Sequence, residues 1–435
     1  MKKVIWGFIA IILIACQEKD EKNFITKIEH QVIVTYEDEF KNLETQGTLV
    51  KITNMQTGNI SEMITDKNGK ATFLLDAGTF RIEVSKKISE QQMEEAVGIP
   101  QETLFNGSLE NIIINQEKNK PTNIIMKSGR IGNIIIKQVY NAGSDKKQGA
   151  VFRDQFFELH NNSNEPIALA GLAYGRIIVP RAQNSPNKKD EMLLENGRFD
   201  WSKVDTESGS KANTDYVYVE EVLAFPASAT VLPAGKSVIV AATALNHKAP
   251  LTVMDSNQTT RTYEVPNPDL TIDLSGAKYE TYYGDYFKNQ NKKPLDSDID
   301  TPATNMEILY KTSNGLDLIL DPQSRMGIVI FYVTAEEVKN WKKVKEPAKS
   351  QKILLQVPLD KIIDGVNLQG IGNFKHTHSL PDQIDSGEIV GKKGAYSSEA
   401  VIRKSTIKNG KKIYQDTNNS SNDFEVIEYP DVNSL

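Results

Sequence analysis

The chain has 435 residues, a formal net charge of −6, 39% hydrophobic residues and 25% charged residues. This composition supports a sizeable core and excludes a wholly disordered chain. The length exceeds one compact sandwich, so two domains or one heavily inserted domain are expected. The acidic balance argues against nucleic acid as a partner, because phosphate binding needs a basic patch.

Lys2 and Lys3 form a positive n-region, and Val4 to Ile14 is an apolar stretch too short to span a bilayer. Leu13-Ile14-Ala15-Cys16 follows and resembles a lipobox, with residues 1–15 as the signal peptide. The resemblance implies that the Cys16 thiol carries a covalent lipid; the alternative is an ordinary signal peptide with a chance cysteine. Cys16 is the chain's single cysteine, so no intramolecular disulfide can form. Residues 16–28 read as an acidic tether. Its start, Gln17-Glu18-Lys19-Asp20-Glu21, resembles the surface-export tag of Bacteroidota-type lipoproteins; a plain solvated linker is the bland alternative. Together these imply a lipid-anchored, surface-exposed protein of the outer membrane.

Residues 29–127 read as a β-sandwich. Period-2 patterning predicts strands at Gln31–Tyr36, Gly47–Thr53, Ser61–Thr65, Ala71–Leu75, Thr79–Ser85, Ile112–Asn115 and Asn123–Met126. Thr57-Gly58 and Asp66-Lys67-Asn68-Gly69 are tight-turn chemistry. Ser89 to Ala96 is a short helix with Ser89 and Gln92 as a capping box. The stretch Thr48 to Ser85 resembles the transthyretin-like or collagen-adhesin B-type repeat. Ser128-Gly129-Arg130 is the expected hinge.

Residues 131–435 read as a second β-sandwich with large loop insertions. Gly132 to Tyr140 and Gln155 to Leu159 are strand-like, Asn161 to Pro166 is a turn, and Ile167 to Gly171 is a short strand and its exit. Residues 180–215 form a polar segment without a sustained period, of the kind that is functional or mobile. Strands are expected at Tyr216–Leu223, Leu316–Leu320, Gly327–Val333, Ala400–Lys404 and Lys412–Gln415. Gly284 to Thr304 is expected to be an open loop. Thr334 to Trp341 is a helix with Thr334 and Glu337 as a capping box. Gly132–Tyr140, Phe156–Gly171, Leu232–Ala241 and Tyr414–Phe424 together resemble the lamin-tail immunoglobulin-like sandwich, with Leu172 where that family usually has Trp. The expected class is therefore mainly β with two sandwich domains. These landmarks, with Leu245-Asn246-His247 and Ser379 to Gly387, are similar to a family of Bacteroidota outer-membrane lipoproteins of unknown function. Such proteins tend to be encoded beside TonB-dependent receptors, which implies a TonB-dependent β-barrel as partner.

Motifs for catalysis are weak. There is no G-x-S-x-G elbow, Walker A loop or dinucleotide fingerprint, so no enzyme and no cofactor beyond the lipid is expected. His376 and His378 share a face if they lie on a strand and could bind Zn²⁺ or Cu²⁺; two loop histidines are the alternative. Asp296, Asp298, Asp300 and Glu307 have calcium-loop spacing, but Thr301 replaces the turn glycine and Pro302 follows, so a solvated acidic loop competes. Tyr279, Tyr282, Tyr283, Tyr286 and Phe287 form either an exposed binding ridge or part of the core. The expected function is a non-enzymatic accessory or substrate-binding partner of a TonB-dependent transporter. A surface adhesin or structural module, and a metal- or ligand-capturing protein, are the alternatives.

Overall fold

The computed structural model describes residues 27–435 except 38–39, 98–102, 130–132, 164, 178, 180–191, 195–197, 255–257, 348–351, 377–379 and 409–410. The fold is mainly β, as the alternating patterns predict.

The first unit contains β1 (Ile28–Tyr36), β2 (Leu49–Asn54), β3 (Ile60–Ile64), β4 (Lys70–Leu75), β5 (Gly78–Ile88), α1 (Glu90–Val97), β6 (Thr103–Ile114) and β7 (Thr122–Gly129). Its seven strands run in the order β3-β2-β5-β6-β7-β1-β4. Alternate residues Val32, Val34, Val50, Ile52, Phe80, Ile82, Val84 and Phe105 point inward to one core. Ser89 accepts from the Gln92 N–H, and Gln92 reaches back to the Ser89 N–H at 3.1 Å, closing the capping box of α1. β6 is longer than the pattern suggests, because Asn106, Gly107 and Ser108 mask its first half. A Cβ on Gly107 would lie 2.8 Å from both Ile124 Cγ2 and the Ile125 carbonyl oxygen, so this position needs glycine. Ser128 and Gly129 are not hinge residues: they continue β7 and pair with Phe105 and Leu104.

The second unit contains β8 (Ile134–Tyr140), β9 (Phe156–Asn161), β10 (Ile167–Ala168), β11 (Leu172–Ile177), β12 (Tyr216–Ala224), β13 (Val231–Leu232), β14 (Ser237–Ala241), β15 (Leu251–Met254), β16 (Thr260–Tyr263) and β17 (Tyr279–Glu280). It continues through α2 (Gly284–Lys288), β18 (Thr304–Asn305), β19 (Glu307–Lys311), β20 (Met326–Tyr332), α3 (Ala335–Asn340), β21 (Lys343–Lys345), β22 (Ile353–Pro358) and β23 (Ile362–Gln369). It ends with β24 (Ile389–Val390), β25 (Ala400–Arg403), β26 (Ser405–Lys408), β27 (Lys411–Tyr414), α4 (Ser420–Asp423) and β28 (Phe424–Ile427).

One sheet runs β18-β17-β14-β9-β8-β25-β28; the other runs β21-β22-β12-β11-β20-β23-β24, with β19 also on β12. Their facing residues, among them Ile136, Phe157, Val240, Tyr174, Leu223, Ile328 and Val366, form the main core. β20 is apolar throughout because both of its faces are covered: Ile328 and Ile330 enter the main core, while Val329 and Phe331 pack with Val338 of α3 and with Leu355. Thr334 and Glu337 close the capping box of α3.

Three expectations need correction. Leu316–Leu320 is not a strand. Leu318 and Leu320 are fully buried, but the Leu320 backbone bonds to the Gln155 side chain through both its N–H and its carbonyl instead of to a ladder. Lys412–Gln415 does not extend the sheet; β27 forms a separate hairpin with β26, and β28 closes the sheet on β25. The expected open loop from Gly284 begins with the helical turn α2.

The two units meet along a polar seam made by the outward side chains of β2, β5 and β6. Arg81 pairs with Glu110 at 3.1 Å and with Glu388. Lys51 Nζ lies 2.9 Å from Ser421 Oγ, and Asn419 Nδ2 donates to Glu83 at 2.9 Å. The Ser108 hydroxyl donates to Asp382 at 2.9 Å. Seam residues such as Lys51, Glu83 and Glu110 are buried although they face away from their own core.

Candidate functional site

A cleft with an aromatic lining lies beside this seam. It is bordered by Ile177, Arg198, Phe199, Trp201, Tyr216, Tyr218 and Pro381, among others. β12 supplies Tyr216 and Tyr218. The segment before it folds on itself through an antiparallel bridge between Leu193 and Phe199 and two short 3₁₀ turns, Trp201–Lys203 and Gly209–Asn213. Asp200 holds these turns together. Its Oδ1 accepts from the Ser202 N–H at 3.2 Å and from Asn213 Nδ2 at 2.8 Å, while Asn213 Oδ1 accepts from the Trp201 N–H at 2.8 Å. The Trp201 ring is thereby placed flat on Tyr218, centroids 3.7 Å apart and planes 14° apart, with Phe199 edge-on at 5.6 Å. Beneath it, Asp205 accepts from Lys342 Nζ and Gln356 Nε2, both at 2.5 Å. Arg198 closes the rim through Asp382 at 2.6 Å, the same carboxylate that receives Ser108. The result is an ordered aromatic wall beside Ile177, Val217 and Pro381, with a fixed polar rim.

The sequence-derived candidates are distributed elsewhere. Cys16 and Gln17, Glu18, Lys19, Asp20 and Glu21 lie outside the described residues, as does His378. His376 is buried, with Nε2 3.0 Å from the Leu368 carbonyl oxygen and 3.2 Å from that of Ser324. Only a protonated Nε2 can serve two carbonyls, so this nitrogen acts as a hydrogen-bond donor. The acidic loop does not converge either. Asp296 faces Lys293 at 3.7 Å, Asp298 accepts the Tyr283 N–H at 2.9 Å, Asp300 accepts from Asn305 at 2.9 Å, and Glu307 is exposed at the start of β19. Among the described residues no three His, Cys, Asp or Glu side chains are placed to hold a metal ion. Of the aromatic group, Tyr279, Tyr283 and Phe287 belong to the main core; Tyr286 packs against it and Tyr282 is half-buried.

The closing segment Tyr414–Phe424 wraps a buried arginine. Arg403 reaches Asp364 at 2.6 Å, Asp416 at 3.2 Å, Asp423 at 3.3 Å and the Ile136 carbonyl oxygen at 2.8 Å. Burial raises the Asp364 carboxyl to about 7 and the Asp423 carboxyl to about 6, against the lowering pull of Arg403. The group ties β8, β23, β25 and the closing segment together.

The cleft residues were not singled out from sequence. The available signal was Phe199-Asp200-Trp201, an aromatic pair around an acid inside an otherwise polar segment.

Comparison with known proteins bears on part of this chain. Residues 233–431 match the family described as Protein of unknown function (DUF4876). The DUF4876 match begins inside the second sandwich, so β8 to β13, which carry much of its core, precede it. A crystal structure of a DUF4876 family protein from Bacteroides thetaiotaomicron VPI-5482 is similar over 92% of this chain and 94% of that one, with 21% identity and a TM-score of 0.50. That likeness concerns the fold. Fervidolysin from Fervidobacterium pennivorans, a keratinolytic enzyme related to subtilisin, covers 50% of this chain at a TM-score of 0.18, too low for a shared fold. A search of curated proteins finds no match.

Proposed function

We propose that the protein is a lipid-anchored outer-membrane protein of the cell surface. In this reading it binds a small ligand in the Trp201 cleft and serves as a non-enzymatic accessory of a TonB-dependent β-barrel transporter. The observation that carries the binding role is the preorganised aromatic wall: Trp201 is locked on Tyr218 by the Asp200–Asn213 hydrogen bonds before any ligand arrives, which lowers the ordering cost of binding. The anchor rests on Leu13 to Cys16 and the tag on Gln17 to Glu21. The test of the cleft is to screen the chain from residue 27 onward against an array of oligosaccharides, with Trp201→Ala as control. Binding that survives the substitution, or its absence from the whole array, removes the cleft from the proposal. The test of the address is fractionation of Cys16→Ala, which should leave the membrane; a detergent pull-down of the lipidated protein should then recover a β-barrel.

A second reading, as an adhesin or structural module, draws on β3. All five of its residues are exposed, including Ile60 at 57% and Ile64 at 67%, and among the described residues it pairs only with β2, at the end of its sheet. Such an edge invites a protein strand. Attachment of whole cells to a protein matrix, lost on Ile64→Lys, would favour it.

A further inference from the structure

One carboxylate belongs to the cleft and to the seam at once. Asp382 follows Pro381, which lines the cleft, and its Oδ1 accepts from Arg198 Nη2 at 2.6 Å and from the Ser108 hydroxyl at 2.9 Å. Its Oδ2 accepts the Ser108 N–H at 3.1 Å. Arg198 lines the cleft, whereas Ser108 lies on β6 of the first unit. The β6–β7 ladder covers Leu104 to Asn106, and two residues further on the Ser108 N–H goes to Asp382 instead. These groups are largely out of water: the Arg198 and Asp382 side chains are 18% and 15% exposed, and Ser108 is buried. Hydrogen bonds to a charged group are strong in such surroundings.

The backbone around Asp382 is fixed from behind. The Ile384 N–H bonds to the Pro381 carbonyl at 2.9 Å, and Asp385 accepts the Asn367 N–H of β23 and the Ser420 N–H of α4, both at 2.7 Å. That leaves the side-chain torsions of Asp382 as its freedom. Ser108 sets them by gripping one oxygen with its N–H and the other with its hydroxyl. On the cleft side, the Arg198 carbonyl accepts the Leu194 N–H at 2.8 Å, and the next residue, Phe199, bridges Leu193 and packs edge-on against Trp201. Where the guanidinium is held, the Phe199 and Trp201 rings are held with it.

We propose that Ser108 of the first unit is a positioning residue of the cleft: acting through Asp382 it fixes Arg198 at the rim, so the aromatic wall reaches its full order only while the two units are docked. The consequence for binding rests on the cleft being the ligand site proposed above; the positioning itself does not. A ligand that needs the formed rim tightens the docking of the units by the same factor by which docking tightens the ligand, because such coupling is reciprocal. Drawing the first unit away from the second then loosens the rim and releases the ligand, so the seam serves for unloading as well as for cohesion.

Hydrogen exchange of the full chain tests the relay without any ligand, so an empty oligosaccharide screen does not decide it. Ser108→Ala removes one hydrogen bond to a charged group and should speed exchange of the amides of residues 198–204 about tenfold, with the amides of β14 unchanged. In an Arg198→Ala background the same substitution should add nothing. Asp382→Asn, which weakens both ends of the relay, should reproduce the pattern if Ser108→Ala folds poorly. Unchanged exchange at residues 198–204, an equal rise in β14, or an undiminished effect of Ser108→Ala in the absence of Arg198 overturns the proposal.

Discussion

Replacing Arg81 by alanine tests whether the seam joins the two units energetically. The Arg81 side chain is 14% exposed and lies between Glu110 and Glu388, which are 5% and 4% exposed. Removing one member of a buried ion pair costs about 3–5 kcal/mol, mainly because the remaining charge is left without compensation. Here two buried carboxylates lose the same guanidinium, so a loss in the upper half of that range, about 4–5 kcal/mol, is expected. Urea unfolding followed by two probes separates the units. Trp201 and Trp341 report the second unit alone, because the described part of the first has no tryptophan, while far-ultraviolet dichroism reports both. The wild-type curves should coincide and those of Arg81→Ala should separate, with the first unit melting earlier. Adding Glu110→Gln and Glu388→Gln should recover most of the loss. A loss below about 1 kcal/mol, typical of exposed pairs, or no recovery in the triple variant, would refute the reasoning.

His247 is fully buried, and burial lowers its ring to about 4 despite the bond to the Thr243 carbonyl. Its folded value lies below the unfolded one, so its stabilisation is complete above about pH 6.5 and is lost as pH falls toward 4. At 1.36 kcal/mol per pKa unit the full effect is about 3 kcal/mol, and an NMR titration showing an imidazolium at pH 6 would contradict it. Thr334→Ala removes the cap of α3 and should cost about 1 kcal/mol in chemical denaturation. Asp200→Ala should release Trp201 from Tyr218, seen as a red shift and loss of intensity in near-ultraviolet dichroism, while leaving global stability within about 2 kcal/mol.

The architecture was legible wherever burial follows a simple alternation. Phe80, Ile82 and Val84 read as one face of β5, and Gly327 to Val333 reads as a doubly covered strand, because hydrophobic burial acts locally through side-chain direction. β22 and β23 were not legible. Their interiors carry Gln356, Asp364 and Asn367, polar residues that become core only because Asp205, Arg403 and Asp385 reach them from distant parts of the chain. Leu316 to Leu320 misled for the complementary reason: its alternation is real, but the Gln155 side chain takes the place of a neighbouring strand. The cleft depends on a stack between Trp201 and Tyr218 that no local spacing encodes, and the acidic loop matched a spacing whose side chains diverge in space.

The position of β1 has a mechanical consequence. It is the first strand of the described chain, and it is held on both sides, antiparallel to β4 and parallel to β7. Traction applied at Ile28 along the strand loads both rows of hydrogen bonds together, so they must slide as a set instead of peeling one by one. A protein moored by its N-terminus and tugged by flow or by a partner would hold its shape at the point where the leash is tied.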